Sequence, residues 1–374
     1  MGDAYTPGLT VTRRTTVRKT RRLPMPGTVV CARGDRVRST DVVARTQLPG
    51  KVHLLNLSTA LGALPDELDG KLVVRPGGAV TKGAPLASSK SFFGLFTNTV
   101  ASPITGTLES VSAVTGQAIL REPPVPVEIT AYVDGEVVEV IAHEGVVIET
   151  EAALVQGIFG LAGEVRAPIV MVATEPTEPL EAAALTEAHR GKVVVGGARV
   201  TLAAMHRAME LGVAAIVTGG FAYQDVRELL GYDVGVAITG TERLATTLVV
   251  TEGFGDIAMA RATFALLASF AGRDASVCGA TQIRAGVIRP EVVIPVGADA
   301  ATAELDAAPP PGLSVGAPVR CIRAPHFGKL GTIAALPPAL HTMPSETKVR
   351  VVEVALADGG TVLVPRANVE VIER

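Results

Sequence analysis

The sequence predicts a multidomain β plus α/β protein, with β regions before and after a central α/β domain that has a mostly parallel sheet. Three observations lead to this prediction. Short apolar segments punctuated by glycine recur through the first 165 or so residues, strand and helix patterns alternate over 180–297, and five short apolar segments follow position 315. Branched apolar runs between glycines and prolines indicate β-structure, whereas alternating strands and helices indicate parallel pairing.

Composition limits the functional classes. The chain has 374 residues, of which 48% are hydrophobic and 19% are charged, so it is a folded protein. Lys and Arg number 34 against 37 for Asp and Glu, and this balance argues against a nucleic-acid binder as a whole. The three cysteines lack metal-ligand spacing, so no metal site is predicted. Sparse cysteines and the absence of a long apolar run predict a cytoplasmic protein.

Residues 1–22 are predicted to form a basic, flexible arm. The only acidic residue in this segment is Asp3, and six basic residues lie close together: Arg13, Arg14, Arg18, Lys19, Arg21 and Arg22. Two interpretations stay open, a solvated terminus and a segment that contacts an acidic partner.

Residues 23–173 are predicted to form a β domain from repeated hairpins. Segments 106–119 and 135–148 place apolar residues at the same offsets from their first glycine, and looser copies lie at 27–37 and 72–80. The stretches VASPITGTLESVSAVTGQAI and GKLVVRPGGAVTKGAPLA resemble the two halves of a barrel-sandwich hybrid. That fold belongs to biotinyl and lipoyl domains, and the resemblance is strongest to the non-acylated version in the C subunit of Rnf-type electron-transport complexes. Lys90 lies outside the spacing of a carrier lysine, and the apolar run 92–96 fits a core segment or a docking patch.

Residues 180–297 are predicted to form the α/β domain. Strands are expected at 193–195, 214–217, 236–238 and 248–250. Helices are expected from the Thr201 cap to Gly212, over 223–230, and from an Asp256 cap to Gly272. A proline-rich linker is expected at 298–314.

The ends of these strands carry similar Thr-Gly turns, which we call the strand-end edge. Ligands of open α/β sheets bind outside the carboxyl ends of strands, where glycine lets the backbone approach an anion. The pattern predicts a site for a small anionic ligand, with ordinary tight turns as the alternative. Its residues are Gly196, Gly197, Thr218, Gly219, Gly220, Thr239, Gly240, Thr241, Glu252, Gly253 and Gly255. Glu242, Glu252 and Asp256 fit caps and surface charges, with converging carboxylates as the alternative.

Residues 315–374 are predicted to form a small β-barrel. The stretches GAPVRCIRAPHFGKLGTIAAL and VEVALADGGTVLVPRANVEVIE resemble the SH3-like (KOW-like) barrels of ribosomal proteins and transcription elongation factors. That resemblance implies a loop that meets RNA or protein. The residues assigned to this contact are Arg320, Arg323, His326, Phe327 and Lys329.

No catalytic residue is assigned, because the chain lacks a P-loop, a nucleophile elbow and a dinucleotide fingerprint at a helix start. We expect a non-catalytic cytoplasmic scaffold or adaptor that binds a protein partner or self-associates. A transcription- or translation-associated factor that binds RNA or polymerase is one alternative. An enzyme or redox subunit is the other. No cofactor is predicted; only that second alternative would use one, a nucleotide or a flavin at the strand-end edge.

Overall fold

The computed structural model describes residues 9–91, 96–232, 240–282, 288–296, 313–323, 325–343, 348–357 and 359–371. The apolar run at 92–95, the expected strand at 236–238, Thr239 and most of the expected linker lie outside the described residues. The fold is β-rich and is built from several sheets.

The first region is almost entirely strand. Its elements are β1 (Val11–Arg22), β2 (Thr28–Val29), β3 (Arg36–Val37), β4 (Val42–Leu48), β5 (Val52–Asn56), α1 (Leu57–Leu61), β6 (Ala79–Val80), β7 (Pro85–Ser91), β8 (Phe96–Ala101), β9 (Gly106–Val111), β10 (Gln117–Arg121), β11 (Val125–Thr130), β12 (Gly135–Ile141), β13 (Gly145–Gln156), β14 (Phe159–Leu161) and β15 (Glu164–Met171).

The two strict repeats form hairpins, as predicted. Strand β9 pairs antiparallel with β10, and β12 pairs antiparallel with β13. The looser copies do not, because their two-residue strands pair elsewhere: β2 with β4, β3 with β12 and β6 with β9. Strand β5 stops at Asn56, whose side chain accepts a hydrogen bond from the Thr59 N–H and so starts α1.

The elements that follow are β16 (Val193–Val195), β17 (Arg199–Val200), α2 (Leu202–Leu211), β18 (Ala215–Phe221), α3 (Tyr223–Leu230), β19 (Thr247–Phe254), α4 (Arg261–Ser269), β20 (Asp274–Cys278) and β21 (Glu291–Pro295). The C-terminal module, residues 313–371, contains β22 (Pro318–Cys321), β23 (Leu330–Ala335), β24 (Leu340–Thr342), β25 (Lys348–Leu356), β26 (Thr361–Pro365) and β27 (Val369–Val371).

A single twelve-stranded sheet runs through the first and central regions. Its order is β14-β19-β18-β16-β15-β20-β21-β13-β12-β3, with β1 added to β13 and β17 to β18. The pairs β15–β16, β16–β18 and β18–β19 are parallel. Hydrogen bonding therefore continues across the expected boundary near 173–180, because β15 pairs with β16 and β13 with β21. The division into domains stays a prediction.

Smaller sheets complete the fold. They have the orders β5-β10-β9-β6, β11-β4-β2 and β7-β8, and the C-terminal module has the order β24-β25-β23-β22-β27 with β26 on β25. Separate apolar clusters lie under the β5–β6 sheet and inside the C-terminal module.

The predicted flexible arm is wrong over residues 11–22. Strand β1 pairs with β13 from Val11↔Val155 to Arg22↔Gly145, and Val17 is buried. Its basic side chains meet acids on other strands and, for Arg22, in the turn before β13. The pairs are Arg14–Glu151, Arg18–Glu149, Lys19–Glu291, Arg21–Glu164 and Arg22–Glu144. Composition alone suggested disorder because these acids lie more than 100 residues away in the chain.

The helix predictions have mixed outcomes. Helix α2 is confirmed, because Thr201 caps it and Gly212 ends it with φ +72°. Helix α3 is also confirmed. Helix α4 begins at Arg261, so Asp256 is not its cap. The preceding segment is held outside the helix because the Met259 N–H donates to the carbonyls of Pro176 and Gly197.

Candidate functional site: the strand-end edge and the C-terminal module

Thr218, Gly219 and Gly220 lie within strand β18 and do not follow it as a turn. Thr218 is fully buried, and its hydroxyl donates to the Ala198 carbonyl over 2.6 Å. The N–H groups of Gly219 and Gly220 donate to the carbonyls of Gly197 and Ala198. These polar groups are thus hydrogen-bonded within the sheet edge.

The chain's own backbone packs against the glycines of this edge. A Cβ on Gly219 would lie 2.3 Å from the Ile257 carbonyl oxygen, and one on Gly220 would lie 2.2 Å from that of Gly255. A Cβ on Gly197 would lie 2.3 Å from the Glu175 carbonyl oxygen. Glycine is required here because backbone meets backbone. Residues 255–259 and 175–178 thus occupy the space in which the sequence predicted an anion.

The turn at Gly240 is hydrogen-bonded to the carboxylate of Glu242, two residues further along the chain. The Glu242 carboxylate accepts hydrogen bonds from the N–H groups of Gly240, at 2.7 Å, and Ala162, at 2.9 Å. Thr241 and Asp256 are exposed, and Thr239 lies outside the described residues. Glu242, expected as a cap or a surface charge, thus accepts hydrogen bonds from backbone N–H groups.

Glu252 connects the edge to helix α4 and to the C-terminal module. Its side chain is 9% exposed, and one carboxylate oxygen accepts at 3.0 Å from the N–H of Ala260, the residue immediately before α4. The other oxygen lies 3.4 Å from Nη2 of Arg320. A single buried carboxylate thus joins β19, α4 and β22.

Arg320 does not lie on an exposed basic face, which corrects the sequence prediction. It is 4% exposed, and its Nη1 donates to the Thr251 carbonyl over 2.7 Å. Strand β22 is covered on both faces at Val319, Arg320 and Cys321, because one face fills the module's core and the other lies against β19. Alternation of apolar and polar residues along a strand predicts the face that fills the module's core, but it cannot show that the other face packs against β19.

Two further residues complete a group of four charges, three buried and one, Arg289, half-buried, which we call the ion quartet: Glu252, Arg289, Arg320 and Glu370. The Glu370 side chain is 1% exposed, with one oxygen 3.0 Å from Nε of Arg320 and the other 3.3 Å from Nη1 of Arg289. Two carboxylates and two guanidinium groups balance in charge. Sequence reasoning missed Glu370 and Arg289; the available signal was an acid inside the apolar segment Val369–Val371.

Phe327 lies in an intramolecular aromatic contact. Its ring centroid is 6.2 Å from that of Phe254, which also meets Phe159 at 4.9 Å and Tyr223 at 5.3 Å. Gly328, at φ +76°, lies so close that a Cβ would be 2.5 Å from the Phe254 ring. Phe327 is half-buried, so its assignment to an outside partner stays a prediction. Arg323 and Lys329 are exposed and His326 is half-buried.

The two predicted sites therefore meet each other. A Cβ on Gly253 would lie 2.9 Å from the Gly328 carbonyl oxygen, and the Gly255 N–H donates to the Phe221 carbonyl. Gly196 packs closely against the Leu180 side chain. Gly253, assigned to a ligand turn, thus allows the C-terminal module to approach the sheet closely.

The cysteines fit structural roles. Burial raises the pKa of the Cys278 thiol and that of the Cys321 thiol to about 11 each, so both stay protonated near neutral pH. Among the described residues, no group of three or more His, Cys, Asp or Glu side chains is placed to hold a metal ion.

No protein-family model matches the chain, and comparison with curated proteins finds no match either. Of the helices within the described ranges, none combines the length and apolar character needed to cross a membrane.

Proposed function

We propose that the protein is a non-catalytic scaffold or adaptor of the cytoplasm, which acts by binding protein partners or further copies of itself. The observation that carries this proposal is the mutual contact of its two predicted sites. The glycines of the strand-end edge pack on the chain's own backbone, and Arg320 and Phe327 bind that edge. Binding capacity toward other molecules then belongs to surfaces elsewhere.

The proposal includes an assignment of three units. Parallel pairing of β15, β16, β18 and β19, with α2 and α3 between strands, supports an α/β unit in the centre. The β9–β10 and β12–β13 hairpins support a barrel-sandwich hybrid before it. The antiparallel sheet of residues 318–371 supports an SH3-like barrel after it.

The smaller sheets supply candidate contact surfaces. Strand β5 pairs with β10 and with no other described strand, and its Leu54 and Val52 are 64% and 48% exposed. Val125 on β11 and Leu340 on β24 are also exposed, at 54% and 60%. Large apolar side chains on a strand edge favour pairing with another chain. We therefore place the first assembly contact at β5.

The test is the mass of the native particle. Full-length protein purified from its own host would be measured by native mass spectrometry and by light scattering after size exclusion. We expect an oligomer or a complex with another protein. Replacing Val52 and Leu54 together by Lys should reduce the mass to one chain, because it places charge on the β5 edge.

The matched control is Val114→Lys. Val114 is 86% exposed in the turn between β9 and β10, so the same substitution there should leave the particle unchanged. A wild-type protein that stays a single chain at all concentrations, with no co-purifying protein, would contradict the scaffold proposal. A bound nucleotide or flavin mass would favour the enzyme alternative.

The RNA-binding alternative rests on the exposure of Arg323 and Lys329 at the C-terminal module. Fluorescence anisotropy with single-stranded RNA would test it. Binding that weakens steeply with salt and is lost when both residues become Ala would support that alternative. Absence of binding at low salt would remove it.

A further inference from the structure

The buried charges of the ion quartet are a poor source of folding free energy. The side chains of Glu252, Arg320 and Glu370 are 9%, 5% and 1% exposed. Burying charges carries a desolvation cost that their mutual attraction repays only with good hydrogen bonds. Nε of Arg320 and Oε1 of Glu370 form an ion pair at 3.0 Å without hydrogen-bond geometry. Apolar residues of the same volume would be at least as stabilising at such a place.

Apolar contacts already cover this interface. Ile322 of the C-terminal module is 4% exposed and belongs to the apolar cluster of the large sheet, together with Phe159 and Phe221. Phe327 packs against Phe254 beside it. Burial of this kind supplies free energy but no direction, because the hydrophobic effect depends on area and not on angle.

Directional contacts come from Arg320. Its planar guanidinium donates hydrogen bonds in two directions, from Nη1 to the Thr251 carbonyl and from Nη2 to the Glu252 carboxylate, and its Nε lies beside the Glu370 carboxylate as an ion pair. A rigid fork of donors has this geometry in only one placement. Glu252 is itself held by the Ala260 N–H and Glu370 by Arg289. A rotated module would leave buried charges without partners.

We propose that the ion quartet is an orientation lock, which selects the single orientation in which the C-terminal module docks on β19, while the apolar contacts supply the docking free energy. Wrong orientations are excluded because each would bury unpaired charge. The lock determines which way exposed Arg323 and Lys329 are presented. It stands independently of the scaffold proposal, because it concerns contacts within one chain.

The experiment separates orientation from stability. All variants are full-length, and spin labels are attached at Glu210→Cys and Lys348→Cys, two exposed positions, in a Cys31→Ser background. Pulsed electron paramagnetic resonance measures the distribution of distances between the labels, and thermal unfolding gives Tm. The wild-type quartet should give one narrow distribution.

The single variant Arg320→Met leaves the buried Glu252 carboxylate without a cationic partner and Glu370 with Arg289 alone, and it should lower Tm by several degrees. The combined variant Arg320→Met, Arg289→Met, Glu252→Gln, Glu370→Leu replaces all four charges of the quartet and keeps an acceptor for the Ala260 N–H. It should recover most of that Tm loss but show a broad or multiple distance distribution. Phe327→Leu is the matched control: it should lower Tm while the distribution stays narrow.

Two results would overturn the proposal. A narrow, wild-type distribution in the folded combined variant would mean that apolar contacts alone set the orientation. A combined variant that is as unstable as Arg320→Met, or fails to fold, would mean that the quartet supplies docking free energy. The combined variant is informative even where the single variant does not fold.

Discussion

Two sets of ion pairs in this protein use the same chemistry in opposite surroundings. Along β1, Arg14 pairs with Glu151 and Arg18 with Glu149, and the side chains of these four residues are 31–70% exposed. In the ion quartet, Glu252, Arg320 and Glu370 are below 10%. Exposed pairs contribute from zero to about 1 kcal/mol each. Breaking a buried pair costs about 3–5 kcal/mol because one charge remains buried alone.

The exposed pairs of β1 and the buried ion quartet are therefore suited to different roles. The β1 pairs add modestly to a strand that backbone hydrogen bonds already hold on β13, and they keep a long edge strand charged. The quartet instead makes one geometry far better than its neighbours. Charged side chains near water can change their geometry at little cost in free energy, whereas buried charges are stable only in the geometry that pairs them.

We expect the greatest loss in the free energy of unfolding from a substitution inside the buried ion quartet. Glu370→Gln keeps the side-chain shape but removes the charge that faces Arg320 and Arg289. We expect it to lower the free energy of unfolding by about 3 kcal/mol or more, measured by urea denaturation. The same substitution at Glu149, the exposed partner of Arg18, should cost less than about 1 kcal/mol. Equal losses in the two variants would show that burial does not separate these sets.

An intermediate effect comes from a half-buried pair. The Arg166 guanidinium, with its Nη2 2.9 Å from Asp134, holds the pKa of that carboxyl below its usual range, and the Ser39 N–H adds to this. A carboxyl whose pKa is lower in the folded state stabilises the fold above its unfolded pKa of about 4. That contribution is lost as the pH falls through the folded pKa.

We therefore expect stability to fall below about pH 4, and Asp134→Asn should flatten this part of the profile. Thermal unfolding between pH 2 and 7 would be compared with wild type, with Asp66→Asn as a surface control. An Asp134→Asn profile parallel to wild type would exclude this carboxyl as a source of the pH dependence.

The smallest effect concerns salt. Raising NaCl from about 0.05 to 1 M shortens the screening length to about 3 Å and should weaken the exposed pairs of β1. Hydrogen exchange of the β1 amides should rise slightly, and the stability difference between Glu149→Gln and wild type should disappear. The loss in Glu370→Gln should persist, because buried pairs are screened little. If salt reduced the stability loss equally in Glu149→Gln and Glu370→Gln, water would have access to the ion quartet.

Local signals in the sequence were enough for several elements. Helix α2 follows from a threonine cap, apolar spacing and a glycine that ends it at φ +72°. The β9–β10 and β12–β13 hairpins follow from glycines and alternating branched residues. These features act over a few residues, so a linear pattern contains them.

The candidate site was only partly predictable. The sequence assigned Glu252 and Gly253 to a site for an anionic ligand, and Arg320 and Phe327 to a separate contact with RNA or protein. Their real partners are each other, because β19 and β22 come together through tertiary docking. Glycines that permit an anion to approach a backbone equally permit a second backbone to approach it.

Turn chemistry and side-chain periodicity are local, so the sequence contains the signals for α2, α3 and the β9–β10 and β12–β13 hairpins, whereas the pairing of β1 and the start of α4 depend on distant residues. Which charges are buried and which are solvated depends instead on how these elements pack together in the tertiary structure. Arg18 and Arg320 are the same residue type within strands, but one faces water beside Glu149 and the other is enclosed with Glu252 and Glu370. The physical reason is that burial depends on elements distant in the chain, and a linear pattern carries no record of which ones will pack together.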